Sequence, residues 1–345
     1  MGSVLVFQAP YQVAVASEED RPLAAHEVRL RTLFSGISAG TELTAYRGTN
    51  PYLRKRWDSE RRLFLAGERA DPEYPLIGWG YEEVGEIIEI GADVAGVNVG
   101  QRVYGTWGHR TTHIVAEEYA HDRVLPPQVE PILGIFSRIG AIALNGILDA
   151  QINLGETVAV FGMGVVGQLV AQLARLSGAR VIVVDLIESR LELARRLGAH
   201  AAIDGRSASA AEAIKQLTSG HGADVCIEAS GSTAALNEAI RACAYSAKVV
   251  AMGFFQGEAR GLFLGEEFHH NRIDLVCSQI SGVSPALKYR WDALRLSTVF
   301  MDLVADGRLD LKPLITHVAP FEEAASLFEL LDKRPEEVIQ AVISF

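Results

Sequence analysis

Apolar positions change their rhythm twice along this chain. From Met1 to about Arg123 they come in short β-branched runs, Val28–Phe34, Glu83–Ile90 and Thr111–Val115, separated by turns. Glycines at 36, 40, 78, 80, 85, 91, 96 and 100 punctuate these runs. The pattern predicts an irregular, mostly antiparallel β region, opened by a strand in MGSVLVFQAPYQVAV. From about Gly155 the runs are wholly apolar and alternate with helical stripes. Thr157–Phe161 precedes a stripe through Val166, Val170, Leu173 and Ala174, and Val181–Asp185 precedes the amphipathic Ser189–Leu197. Ala223–Glu228 and Lys248–Met252 continue the series. Apolar strands joined by helices predict a parallel sheet covered on both faces. Past Ser284 the character is mixed, with a helix over Leu294–Ala305, a turn at Asp306 and Gly307, and a closing β run, Val338–Phe345. The polar stretch Arg54–Arg62 reads as a solvated helix or loop, with a lid over a cleft as the sharper alternative.

A chain of 345 residues is long enough for two domains. With 49% hydrophobic and 22% charged residues it is globular, which excludes disorder, collagen and small disulfide scaffolds. A net charge of −11 argues against nucleic-acid or anionic-membrane partners. Cys226, Cys243 and Cys277 stand in apolar runs without metal or redox spacing, as buried thiols in a reducing compartment do. The N-terminus has no cationic region, and no stretch approaches the roughly 18 apolar residues of a membrane span. The expected location is cytoplasmic, and the expected partner is a small-molecule substrate.

The most specific chemistry lies in Thr157-Val-Ala-Val-Phe-Gly162-Met163-Gly164-Val165-Val166-Gly167, a GxGxxG between an apolar strand and a helix. Gly162 permits the tight turn, Gly164 lets backbone approach a pyrophosphate, and Gly167 lets helix and strand pack closely. The helix N-terminus offers free N–H groups and a positive dipole to the phosphates. Asp185 ends the next strand 23 residues after Gly162, where a carboxylate can bond ribose hydroxyls. It would repel a 2′-phosphate, and Leu186 and Ile187 follow it rather than basic residues, so NAD is favoured over NADP. Arg190 lies within reach of the adenosine end, as a cover for the adenine or a competing cation. Further cofactor contacts are expected at Ser230, Gly253 and Ser278.

Pro75-Leu-Ile-Gly-Trp-Gly-Tyr81-Glu82-Glu-Val-Gly85, Gly100-Gln-Arg-Val-Tyr104, the Gly162–Gly167 fingerprint and Arg196-Leu-Gly198-Ala199 together resemble the medium-chain dehydrogenase/reductase superfamily over essentially the whole chain. The resemblance implies an α/β fold: a Rossmann doubly wound parallel sheet over residues 139–278, plus a discontinuous, β-rich GroES-like catalytic domain at 1–138 and 279–345. It implies a homodimer or homotetramer. Zinc-dependent members carry ligands where this chain has Ser38, Tyr81 and Ser137, and three scattered cysteines cannot build the family's four-cysteine structural site. Hydroxyl and phenol are poor zinc ligands, so no metal is expected. Gly36-Ile-Ser-Ala-Gly-Thr-Glu-Leu43 with Gly80-Tyr-Glu82 looks most like the zinc-free branch that includes bacteriochlorophyllide-type dehydrogenases.

His109 and His113 are spaced as zinc ligands on a helix, but they read as strand, where i and i+4 lie about 13 Å apart. His269 and His270 are adjacent and point apart. Without a metal, a phenol, imidazole or hydroxyl relay must handle the proton of an alcohol. The resemblance puts Tyr81 at a former ligand position and Thr41 in the segment of the proton relay. Glu42 and Glu82 could orient or recharge these groups, with His109, then His113, as reserve bases. The leading expectation is an NAD-dependent, zinc-free dehydrogenase of a polar, polyhydroxylated secondary alcohol, since Thr41, Tyr81, His109, Asn145, His269 and His270 are expected near the cleft. The alternatives are an enone or quinone reductase, which NADPH would suit better, and a non-catalytic NAD-binding protein.

Overall fold

The computed structural model describes residues 2–65, 72–207 and 209–345. They fall into two compact units, Met1–Arg138 with Ile315–Phe345, and Ile139–Leu314.

The first unit opens on two strands where one was expected. β1 (Gly2–Ala9) and β2 (Gln12–Glu18) form a hairpin that Tyr11 closes at φ 63°. β3 (Glu27–Ile37) is the spine of the unit, and it runs into α1 (Ala39–Arg47), a helix hidden from the β-type reading of this region. Arg54–Arg62 is not a solvated helix. It contains β4 (Arg56–Asp58) and the turn to β5 (Leu63–Leu65), where the opposed rings of Trp57 and Phe64 lie 4.8 Å apart and pin the hairpin. β6 (Leu76–Ile77) joins β1 at its edge. β7 (Glu83–Ile90) and β9 (Thr112–Ala116) both pair with β3, and β8 (Arg102–Gly105) pairs with β7. The short α2 (Glu117–His121) follows, and α3 (Phe136–Ala150) leads out of the unit.

One sequence expectation needs correction here. The stretch 131–150 is helical and apolar enough to cross a membrane by length and composition, with mean hydropathy 1.6. Most of it is buried, as in a core helix.

In the second unit strands and helices alternate: β10 (Thr157–Phe161), α4 (Val165–Leu176), β11 (Arg180–Asp185), α5 (Glu188–Arg196), β12 (Ala201–Asp204), α6 (Ala210–Leu217), β13 (Ala223–Glu228), α7 (Thr233–Ala242), β14 (Cys243–Ala251) and β15 (Asp274–Cys277). All six strands are parallel, in the order β12-β11-β10-β13-β14-β15. The order reverses between β10 and β13, the point at which doubly wound sheets open a crevice for ligands. β12 escaped the apolar pattern because it is only Ala-Ala-Ile-Asp.

Residues 279–314, expected with the β-rich lobe, group with this unit instead. Packing explains the difference. α8 (Ala293–Ala305) sets the fully buried Phe300 against Gly140, where any Cβ would overlap the ring. The amide of Gln172 exchanges two hydrogen bonds with the backbone of Asp310, at 3.2 and 2.9 Å.

The chain then returns to the first unit through β16 (Ile315–Pro320), α9 (Ala324–Lys333) and β17 (Gln340–Ser344), the last pairing antiparallel with β3. Phe328 of α9 fastens this return. Its fully buried ring meets Phe7 edge-on at 5.2 Å, stacks on Tyr46 at 5.8 Å and meets His109 edge-on at 6.1 Å. Phe328→Ala should destabilise the first unit by about 3–5 kcal/mol, read as a lowered urea midpoint, because the cavity lies where three chain segments converge. A loss below about 1 kcal/mol would show that the site collapses around the void.

Candidate active site and cofactor cradle

The glycine fingerprint stands in the crevice of the second unit. Gly162 turns at φ 90°, a conformation that L side chains avoid, and a Cβ there would lie 2.6 Å from that of Ser230. A Cβ at Gly167 would overlap the carbonyl oxygen of Gly162. Gly164, which caps α4 with no side-chain hydrogen bond, has nothing within 4 Å of such a Cβ. Two glycines are thus required by protein packing, and the third leaves open the face where a pyrophosphate meets the helix N-terminus. Met163 and Val165 are buried, so they offer a cofactor only backbone, whereas Val166 is partly exposed.

Asp185 is pinned to this loop. Its Oδ2 accepts the Met163 N–H at 2.5 Å, and its Oδ1 accepts those of Leu186 and Ile187 at 2.7 and 2.8 Å. Arg190 is half-buried in α5, and its carbonyl accepts the Gln168 amide at 2.9 Å. Ser230 and Gly253 follow the ends of β13 and β14, where the Gly253 N–H donates to the Glu228 carbonyl at 3.2 Å. There the buried Glu228 accepts the N–H groups of Ser230 at 2.8 Å and Gly231 at 3.1 Å, together with the Ser230 hydroxyl. Burial raises the pKa of Glu228, against the pull of those donors. This carboxyl organises the second wall of the crevice and was not foreseen. Ser278 is buried beyond β15, and its hydroxyl accepts from the Asn145 amide at 3.3 Å.

The first unit holds a second polar cluster. Ser38 occupies the N-cap position of α1, where a serine hydroxyl ordinarily accepts a backbone N–H. It makes no such cap. Glu42 reaches back instead to the Ser38 N–H at 2.8 Å, and the Ser38 hydroxyl is left to hydrogen-bond the Tyr81 phenol. That phenol donates to Thr41 Oγ1 at 3.2 Å. Ser38, Thr41 and Tyr81, far apart in sequence, therefore form one hydroxyl cluster. Burial, and then the nearby Glu82, push the Tyr81 pKa well above its ordinary value.

Glu82 is fully buried and its pKa is raised well above the usual carboxyl range, by burial first and then by Glu42 and Glu83. Its Oε2 accepts the Gln340 amide at 3.0 Å, while its Oε1 makes no hydrogen bond among the described residues. Ser38 lies close enough to lower its proton affinity in part.

His109 is not an exposed base. It is fully buried, with Nε2 2.6 Å from Glu42 Oε2 and Nδ1 2.7 Å from Ser35 Oγ, which in turn donates to Glu83 Oε1 at 3.0 Å. Every partner is satisfied when the ring carries both protons. Burial lowers its pKa, but the charge and hydrogen bond of Glu42, with Glu83, outweigh burial and raise it. Neither ring nitrogen is free to meet a substrate, so its direct catalytic assignment becomes a positioning one. His113 lies on β9, stacked on Trp107 at 6.0 Å, with its pKa pushed down to about 4 by burial and then by Arg110 and Arg21. Asn145, His269 and His270 lie in the second unit, and Thr41, Tyr81 and His109 in the first.

The donor set does not fit zinc. Ser38 and Tyr81 hydrogen-bond each other, Ser137 is a buried serine, and a phenol of raised pKa resists the deprotonation a metal requires. Among the described residues, no three His, Cys, Asp or Glu side chains are grouped to hold a metal ion. The nicotinamide cradle does fit its cofactor, through the open face at Gly164 and the acid at Asp185.

Comparison with known proteins agrees with the fold. The zinc-binding dehydrogenase family matches residues 165–295. D-guloside 3-dehydrogenase of Escherichia coli K12 is 32% identical over 347 residues, covering 99% of each chain. Among solved structures, a Sinorhizobium meliloti 1021 dehydrogenase bound to NADP shares the fold with a TM-score of 0.79 at 19% identity, covering 100% of this chain and 99% of its own. An alcohol dehydrogenase of Escherichia coli CFT073 complexed with NADH does so with a TM-score of 0.78 at 21% identity and the same coverage. With a relative this similar along nearly its whole length, the chain is an oxidoreductase that belongs to the zinc-type alcohol dehydrogenase-like, or medium-chain dehydrogenase/reductase, superfamily.

Proposed function

We propose that this protein is a zinc-independent, NAD(H)-dependent dehydrogenase that interconverts a secondary hydroxyl of a polyhydroxylated compound and its ketone. The hydrogen bond between Ser38 and Tyr81 carries the reading, since the resemblance aligns both residues with zinc-ligand positions of metal-dependent members. The similarity to a dehydrogenase named for a glycoside supports a sugar-like substrate.

When bound, the nicotinamide would supply the hydride for ketone reduction and accept it in alcohol oxidation. The chain's own part begins with the backbone N–H groups at the start of α4, which bind the pyrophosphate. Asp185 offers its remaining lone pairs to the ribose hydroxyls. In ketone reduction the Tyr81 phenol, which holds its proton tightly, donates it to the developing alkoxide and is recharged through Ser38. Alcohol oxidation runs the same transfers in reverse. Glu82, beyond Ser38, has the proton affinity to store the proton. Thr41 orients the phenol, and the Glu42–His109–Ser35–Glu83 chain holds Ser38 and α1 in place. The choice of NAD(H) follows from Asp185. Arg206, just past the strand that pairs with β11, is already tied to Asp204 at 2.8 Å.

Three outcomes test the reading. Purified protein should hold less than about 0.1 equivalent of zinc by elemental analysis and keep its activity in chelator, because no adequate ligand set is present among the described residues. A stoichiometric metal that survives dialysis would refute zinc independence.

NADH should bind at least about tenfold more tightly than NADPH in fluorescence titration, a difference of roughly 1.4 kcal/mol, and Asp185→Ser should narrow the gap. Equal affinities in the native protein would overturn the assignment.

Tyr81→Phe should lower turnover about 10²–10⁴-fold while NADH affinity holds, and its combination with Thr41→Val should be non-additive. A near-normal kcat in Tyr81→Phe would reduce the phenol to packing. Screening sugars, polyols and cyclitols against enones in the same assay separates alcohol oxidation from double-bond reduction.

A further inference from the structure

We propose that Glu228 is a positioning residue for the nicotinamide half of the cofactor, acting through the Ser230–Gly231 loop that it folds against the glycine fingerprint. The proposal rests on the NAD(H)-dependent reading above and assigns work within the same cradle.

β10, which leads into the fingerprint, lies between β11 and β13 in the sheet. Its last residue, Phe161, is level with Val184 on one side and with Glu228 on the other. An acid therefore ends the strand on each flank, Asp185 just past Val184 and Glu228 at the end of β13. The two are finished differently. Asp185 is partly exposed and accepts three backbone N–H groups, which leaves a lone pair for a ribose hydroxyl. Glu228 is wholly buried. Its Oε1 takes the Ser230 N–H at 2.8 Å and the Ser230 hydroxyl, and its Oε2 takes the Gly231 N–H at 3.1 Å. Burying a carboxyl is costly, and these donors of its own loop offset the cost. A carboxyl so enclosed acts on a ligand through the loop it holds.

That loop fits closely against the strand ends on both sides. A Cβ on Gly162 would lie 2.6 Å from that of Ser230. One on Gly253 would lie 2.2 Å from the Gly231 nitrogen and 2.5 Å from Glu228 Oε2. Gly231 itself turns at φ 73°. The ends of β10, β13 and β14 thus form one close-packed group around the carboxyl. A dinucleotide with its pyrophosphate at Gly164 and its adenosine ribose at Asp185 extends its other nucleoside across β10, onto the Glu228 flank. The set of the Ser230–Gly231 loop then fixes where the nicotinamide lies.

The test titrates the full-length protein calorimetrically with NADH and with ADP, which shares the adenosine and both phosphates but lacks the nicotinamide nucleoside. Glu228→Gln keeps the side chain's size and turns one acceptor oxygen into an amide that faces an N–H donor. It should weaken NADH about tenfold or more and leave ADP within about twofold. Gly253→Ala keeps the carboxyl but presses a methyl group on it and on Gly231, and it should show the same selectivity. The double variant should be non-additive, because both changes disturb one loop. At saturating NAD+, kcat for whichever polyol is oxidised should also fall, since a displaced ring is misaligned for hydride transfer.

Equal losses of NADH and ADP affinity would make Glu228 a general prop of the fold and overturn the proposal. Failure of both variants to fold would do the same. So would NADH affinity within about twofold of native in both variants. Selective loss of NADH in a protein that oxidises no polyol would support the positioning role while removing the dehydrogenase reading. Polyol oxidation with NADH affinity unmoved by Glu228→Gln would keep that reading and remove the role. Native protein that does not bind NADH would overturn both.

Discussion

Three carboxyl groups, those of Glu42, Glu82 and Glu83, are wholly withdrawn from water in the first unit, and the need to accommodate them shapes everything around the candidate site. An isolated buried carboxylate is expensive, so each must find a charge or a hydrogen bond, or keep its proton. Glu42 and Glu83 meet the demand through His109, one directly and one through Ser35. Glu83 also takes the Trp107 N–H at 2.7 Å. His109 can enter this space because residue 80 is glycine, where a Cβ would lie 2.8 Å from the imidazole Cε1. Among the described residues Glu82 has no such cation. It has the Gln340 amide from the returning C-terminal strand, and burial first, then Glu42 and Glu83, gives it a high proton affinity.

The same acids reach the start of α1. Glu42 accepts the Ser38 N–H, the Thr41 N–H donates to the Ser38 carbonyl, and the Ser38 hydroxyl makes no cap and meets Tyr81. Buried carboxyl groups thus stand beside a hydroxyl pair able to move a proton. The metal-dependent members of this superfamily would meet the same chemical need with an ion. In the proposed mechanism a hydroxyl relay takes that place, with the buried carboxyl groups behind it.

The second unit obeys a steric rule rather than an electrostatic one. Gly162 and Gly167 are set by what a Cβ would strike, and Gly164 by the space that it leaves. The three glycines could be assigned from sequence alone because the positive φ of Gly162, the contact of Gly167 with the Gly162 carbonyl and the open face at Gly164 arise within a dozen residues of strand, turn and helix, whereas the approach of Ser230 to Gly162 had no local signal. Asp185 was legible for the same reason, as the end of the next strand. The Glu228 loop was not, although its donors Ser230 and Gly231 follow it directly, since a carboxyl folded back on its own loop carries no signature in the sequence.

The sequence by itself determined the parallel sheet, the nicotinamide cradle, the superfamily and the unsuitability of Ser38, Tyr81 and Ser137 as zinc ligands. All of these depend on local periodicity, on glycine sterics or on the identity of side chains at motif positions. Tertiary structure decided that His109 is sealed rather than catalytic and that residues 279–314 join the coenzyme unit. Those outcomes turn on which side chains meet across long sequence separations. His109 and Glu42 are 67 residues apart, and Gln340 and Glu82 are 258 apart. Desolvation and pairing act on such meetings, and no local pattern of apolar and polar positions encodes them.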